Sequence, residues 1–314
     1  MSYAAIAGMP PAEMIQVGEA TLEVFAAGSG KPLVLCHGWP EHAYSWRHQI
    51  DPLVEAGYHV IVPNQRGYGR SHRPDAVEDY DITALTGDLA GLLDHFGYDD
   101  AVFIGHDWGA IVVWNMGLLH PGRVAGIINL SVPFMERGPV PWVDFWEKML
   151  GPDFYIVHFN RQPGVADAVF DANPRAMLSA MYRSARTPGP DLGPGMAMIN
   201  MTEQGYDHGD LVMSEAELDV FVESFKHSGF TGGLNWYRNF NRNWETLEGV
   251  EQKITQPALM IYGARDMVPQ SPDLADFVPN VETQTIDASH WIQQECPRET
   301  NALILHWLAR HYPA

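Results

Sequence analysis

The chain has 314 residues, 46% of them hydrophobic and 18% charged, which is the composition of a globular protein with a large core. Its 39 acidic residues against 19 basic ones give a formal net charge of −20. That balance excludes a nucleic-acid surface built from clustered Lys and Arg and reads as a solvated acidic exterior.

Met1 to Gly18 has neither a basic head nor a continuous apolar stretch, and no segment reaches the ~20 apolar residues that span a bilayer. The expectation is a cytoplasmic protein, monomeric or homodimeric, with no membrane span and no nucleic-acid partner. Cys36 and Cys296 lie far apart and exclude a disulfide framework.

Short apolar or β-branched runs follow: Ala20 to Ala26, Pro32 to Cys36, His59 to Pro63, Ala101 to Ile104 and Val124 to Leu130. They alternate with helical patterns. Leu85, Leu89, Leu92, Leu93 and Phe96 share one face of Asp81 to Phe96, and Ala110 to His120 is apolar on most faces before Pro121. This alternation predicts βαβ units, hence an α/β fold with a mostly parallel central sheet flanked by helices.

From about Pro133 to Gly249 the chain turns Met-, aromatic- and Pro-rich without clear strands, broken by a Pro188 to Gly195 loop, which predicts an inserted helical cap. Strand character returns at Ala258 to Tyr262 and Val281 to Ile286, and a helix over Thr300 to His311 closes the chain. The expected division is core over 1–134, cap over 135–248 and core again over 249–314.

The strongest local signal is Gly105-His106-Asp107-Trp108-Gly109, placed directly after an apolar strand and before a helix. A nucleophile elbow needs that context, because small residues must flank a side chain projected from so tight a turn. An Asp before a helix is also an ordinary N-cap, so the pentad gains weight only from its company. Asp266, past a late strand, and His290, past the final one, complete the order nucleophile, acid, base. His37-Gly38-Trp39-Pro40 follows another strand where an oxyanion hole would form, with the backbone N–H groups of Trp39 and Trp108 as donors.

These residues resemble the α/β-hydrolase superfamily and, within it, the epoxide hydrolases. The resemblance runs from His37-Gly38-Trp39-Pro40-Glu41 and Tyr44-Ser45-Trp46-Arg47, through Gln65-Arg66-Gly67-Tyr68-Gly69-Arg70-Ser71 and the Asp107 elbow, to the Asp266 and His290 segments. In the cap, Leu234-Asn235-Trp236-Tyr237-Arg238-Asn239 resembles the segment that carries one ring-opening tyrosine. Tyr155 is similar to the other, with Tyr182 and Tyr206 as nearby competitors.

The resemblance implies hydrolysis of a small apolar epoxide to a diol, with Asp107 as covalent nucleophile, Asp266 and His290 as acid and base, and Tyr155 and Tyr237 as donors to the ring oxygen. His37, His106 and Trp236 are expected against the substrate. No cofactor or metal is implied, and His42, His48, His208 and His227 show no ligand spacing.

Dehalogenases share the Asp nucleophile and form the runner-up. Against them, Trp108 stands where haloacetate dehalogenases carry Arg, and Trp39 where many haloalkane dehalogenases carry Asn. A non-catalytic ligand-binding member of the fold is a further alternative, which the complete Asp, Asp, His set disfavours.

Overall fold

A computed structural model describes residue 6 and residues 8–184, 186 and 197–314. The expected Pro188 to Gly195 loop lies outside the described residues.

Eight strands form one sheet. They are β1 (Ala12–Val17), β2 (Ala20–Gly28), β3 (Pro32–Cys36), β4 (His59–Asn64), β5 (Ala101–His106), β6 (Val124–Leu130), β7 (Ala258–Gly263) and β8 (Val281–Ile286). Their spatial order is β1-β2-β4-β3-β5-β6-β7-β8. β1 pairs antiparallel with β2, and β2 with β4; every later pair is parallel.

The unbroken apolar runs of β3 and β5 follow from burial on both faces of the sheet. Val34, Cys36, Phe103 and Ile127 join the core under one face, while Leu33, Leu35, Val102, Ile104 and Ile128 join the core under the other. The second core is closed by α1 (Arg47–Glu55) and the C-terminal helix Pro297–His311.

α2 (Ile82–Phe96) packs on the first core through Leu85, Leu89, Leu92 and Leu93. The Asp81 carboxylate accepts from Ala84 N at 2.9 Å, and Gly97 in the left-handed region stops the helix. α3 (Trp108–Leu119) is buried along most of its length, which is why no polar face shows in its sequence.

Between β6 and β7 the chain is chiefly helical, with helices at Trp142–Leu150, Tyr155–Arg161, Val165–Ala172, Pro174–Met181, Ala197–Gln204, Glu215–Ser228, Thr231–Arg238 and Phe240–Thr246. This is the helical cap of the fold. A short antiparallel pair, Arg183–Ser184 with Asp210–Leu211, adds a ribbon where no strand was expected. Two residues per strand are too few for any period to register.

The helical region is fastened to the sheet by polar contacts. Tyr182 Oη donates to Pro40 O at 2.6 Å, Trp236 Nε1 to Arg66 O at 3.0 Å and Trp291 Nε1 to Met181 O at 2.9 Å. Asn243 Oδ1 accepts from Ile82 N at 2.8 Å, so a cap side chain satisfies a free donor in the first turn of α2.

Candidate active site

Asp107 occupies the one-residue bend between β5 and α3, with φ 51° and ψ −118°, a left-handed backbone that costs a non-glycine residue energy. The flanking glycines are required by space. A Cβ on Gly109 would stand 2.0 Å from the carbonyl oxygen of Cys36, and one on Gly105 2.5 Å from that of Gly109. Gly38 is equally constrained, since its Cβ would lie 2.5 Å from the Cβ of Asp107. Strand β3, the elbow and the loop after β3 therefore close on one another only with glycine at these points.

The Asp107 carboxylate is addressed from two sides. Oδ1 accepts from the backbone N–H of Trp39 at 2.8 Å, and Oδ2 stands 3.5 Å from His290 Nε2. The other ring nitrogen of His290, Nδ1, is 2.9 Å from Asp266 Oδ1. Asp266 also accepts from Val268 N at 3.0 Å and from the Ser131 hydroxyl at 2.6 Å. The side chains of Asp107 and His290 keep 15% and 16% of their surface accessible, while Asp266 keeps 2%.

Burial opposes charge on Asp266, but the His290 charge, its hydrogen bond and that of Ser131 prevail and hold the carboxyl down to about 2. Burial likewise opposes an imidazolium at His290, yet Asp266 and then Asp107 outweigh it and raise the group to about 10. The two acidic side chains that flank His290 thus favour its protonated form.

Tyr155 opens its cap helix, and Tyr237 lies in the helix Thr231–Arg238. Their rings meet edge to face at 5.9 Å. Tyr237 stands 5.1 Å from the Trp108 ring and 5.4 Å from the Trp39 ring, above the two residues that bracket Asp107. Burial, and after it the negative charge of Asp107, pushes both phenols well above their ordinary value, so both remain proton donors. The competitors lie elsewhere: Tyr182 gives its hydroxyl to Pro40 O, and Tyr206 packs against His208.

The three residues expected against the substrate are instead held within the scaffold. None presents accessible surface. His37 Nε2 accepts from Gln65 N at 3.0 Å and its Nδ1 faces Gly38 O at 2.9 Å. The ring nitrogens of His106 face Glu41 Oε2 at 2.7 Å and His290 O at 2.8 Å. The Trp236 indole is committed to Arg66 O. Polar residues in a motif next to the nucleophile serve here to fix its walls.

Two further residues enter the site without having been singled out for it. Glu41 is fully buried and accepts from Gly38 N at 2.9 Å, His106 Nδ1 at 2.7 Å, Gln293 Nε2 at 2.9 Å and Gln294 Nε2 at 3.2 Å. Burial raises its carboxyl, and the His106 contact more than reverses this, to about 2. Ser131 follows β6 at the carboxyl edge of the sheet, the same kind of position that marks Asp266 and His290. Among the described residues no cluster of His, Cys, Asp or Glu has the geometry of a metal site, and no helix is long and apolar enough to cross a membrane.

Comparison with known proteins agrees with this architecture. Residues 31–176 match the family model described as alpha/beta hydrolase fold. Epoxide hydrolase A of Mycobacterium tuberculosis is 43% identical over 96% of this chain and 98% of its own length. Bifunctional epoxide hydrolase 2 of Mus musculus is 36% identical over 90% of this chain, which corresponds to 52% of that protein. The crystal structure of epoxide hydrolase A from Mycobacterium thermoresistibile superposes with a TM-score of 0.87 at 40% identity, covering 97% of this chain and all of that one. With an α/β-hydrolase sheet, a helical cap and near full-length identity of this order, the chain belongs to the epoxide hydrolases of the α/β-hydrolase fold.

Proposed function

We propose that this enzyme opens a small apolar epoxide with water through an alkyl ester of Asp107. The observation that carries the reading is the pair of phenols, Tyr237 buried and Tyr155 partly so, that meet edge to face beside the Trp108 ring, next to an elbow carboxylate that the His290 imidazole faces. We take residues 135–248 as the cap that brings these phenols over the core.

The strained C–O bond breaks as Asp107 attacks carbon, and the departing oxygen is an alkoxide, a poor leaving group at neutral pH. Two phenols can hydrogen-bond that oxygen in the ground state and tighten as charge develops, and one of them delivers the proton. Attack converts Asp107 into a neutral ester and removes one of the two negative partners of His290. The imidazolium then loses its proton more readily, by way of solvent to the phenolate that ring opening leaves, at the stage when a base is needed. Neutral His290, oriented by Asp266, takes a proton from water that adds to the carboxyl carbon of Asp107. The resulting oxyanion falls to the N–H of Trp39, already on Oδ1, and of Trp108, whose position at the start of α3 leaves its N–H without a helical partner. Collapse of this adduct breaks the ester C–O bond, His290 gives its proton to the departing diol oxygen, and the new carboxyl group returns a proton to the imidazole as Asp107 becomes a carboxylate again. An elbow Ser would instead yield an ether, which activated water cannot cleave.

The aromatic walls formed by Trp39, Trp108, Phe159 and Phe240 around Tyr237 suit aryl or alkyl epoxides. Incubation with styrene oxide should yield the diol, and a single turnover in ¹⁸O-water should leave label in the Asp107 carboxylate. Absence of label with diol formed would mean direct attack by water.

Dehalogenation stands as a second reading, because the indole N–H of Trp39 is buried without a hydrogen-bond partner among the described residues and that of Trp108 has only the Tyr237 hydroxyl, so both could receive a halide. Bromide release from 1-bromobutane without turnover of styrene oxide would favour it.

A further inference from the structure

Ser131 is placed with unusual care for a residue outside the set of nucleophile, acid and base. It is 1% exposed, and its φ of 72° makes it, with Asp107, one of two non-glycine residues in the left-handed region among the described residues. Its N–H donates to Ile261 O on β7 at 2.9 Å, which ties the end of β6 to the strand that leads into Asp266. Its hydroxyl lies 2.6 Å from Asp266 Oδ2 and 3.0 Å from His290 Nδ1.

A hydroxyl has one proton, and the carboxylate, an acceptor only, takes it. Towards His290 the same oxygen is therefore an acceptor. The Nδ1–H of His290 is shared between Ser131 Oγ and Asp266 Oδ1, and the three groups close a hydrogen-bonded triangle. Such a triangle keeps the proton on Nδ1 and leaves Nε2, the nitrogen 3.5 Å from Asp107 Oδ2, as the one that releases and takes up protons.

We propose that Ser131 is a positioning residue for the second half of the reaction: by closing the triangle with Asp266 and His290 it fixes the imidazole for attack of water on the ester, while contributing little to opening of the ring. This assignment rests on the covalent route through Asp107. It separates the two steps, because ring opening draws on Asp107, Tyr155 and Tyr237, whereas the hydrogen bonds of Ser131 go to Asp266, His290 and Ile261.

The test is rapid-quench mass spectrometry of the Asp107 ester with styrene oxide in the parent enzyme, S131A, S131G and S131C. Alanine keeps the Cβ and removes only the hydroxyl; glycine also relieves the left-handed backbone; cysteine restores a weaker donor and acceptor. Loss of one hydrogen bond to a charged group should slow ester hydrolysis about tenfold in S131A and S131G, leave ester formation within about twofold, and be partly rescued in S131C. Ester decay at the parental rate in S131A would overturn the role of Ser131 and leave the covalent route standing. Equal loss in both steps, with S131C no better than S131A, would also overturn it. The variant H290Q serves as the trap: if no ester forms there, the covalent route itself fails.

Discussion

At the scale of single residues, the proposed route depends on charges whose states differ between its two half-reactions. In the proposed route His290, raised by Asp266 and Asp107 against the effect of burial, carries its proton when substrate arrives and gives it up before it activates water. His290→Gln should thus form the Asp107 ester and fail to hydrolyse it, with ester mass rising to one equivalent in quenched reactions. Asp107→Asn should never gain that mass. For the phenols, Tyr237→Phe should slow ester formation by about 10²-fold and Tyr155→Phe by a similar factor, since each removes one of two donors to the leaving oxygen. The double variant should be inert in a stopped assay for diol, and a double variant as fast as either single would show that only one phenol acts. The bend at Asp107 and the strand-end positions of Asp266 and His290 could be read from the sequence because each sits in a motif or just past a strand. His37, His106 and Trp236 were misplaced because a motif gives proximity to the nucleophile and cannot say whether a polar atom is already taken by Gln65, Glu41 or Arg66. Ser131 left a signal of the same kind as Asp266, a polar residue at the carboxyl end of a strand, but serine is too common at such places to stand out.

At the scale of elements, strands β2 to β7 were legible because both faces of the sheet are buried and each run is apolar throughout or nearly so, whereas β8, an edge strand of sequence VETQTI with no buried residue, showed only through its β-branched residues. β1 was not legible. Only Ile15 and Val17 of its six residues are buried, it lies at the sheet edge, and two inward positions do not establish a period. The turns carry the finer information, and two glycines illustrate it. Gly109 in α3 faces the Cys36 carbonyl so closely that an added methyl group would meet backbone at 2.0 Å, with no side chain free to yield. Gly109→Ala should therefore cost more than about 3 kcal/mol or prevent folding, read from urea unfolding. Gly87 in α2 is exposed and has nothing within 4 Å of the same position, so Gly87→Ala should stabilise by about 0.5–1 kcal/mol through helix propensity and lower unfolded-state entropy. One substitution at two helical sites then has opposite signs, and a melting temperature for Gly109→Ala at or above that of the parent would contradict the packing assigned to the elbow.

At the scale of the whole molecule, three imidazoles, two of them fully buried, make stability depend on pH in both directions. His37 and His42 are fully buried, and burial lowers them to about 4 and about 3. The unfolded chain takes up protons at these positions below pH ~6.5 while the folded chain does not, so their contribution is full above that pH and is lost as pH falls towards those lower values. Together they withdraw on the order of 5 kcal/mol by pH ~4, a large part of the stability of an ordinary domain. His290 has the opposite sign: raised to about 10, it stabilises the fold fully below pH ~6.5 and progressively less as pH climbs to about 10. Stability should therefore peak near neutrality, where neither loss is large, although the net charge of −20 puts the isoelectric point far lower, at about 4.9. His42 separates the contributions, because its imidazole accepts from Tyr44 N at 3.3 Å and has no recorded tie to the reacting groups. His42→Asn keeps an acceptor and carries no titrating ring. Its unfolding free energy in urea should fall less steeply than that of the parent between pH 6.5 and 4 and run parallel to it between pH 7 and 10. An acid slope unchanged by the substitution would mean that the buried His42 ring does not drive acid unfolding.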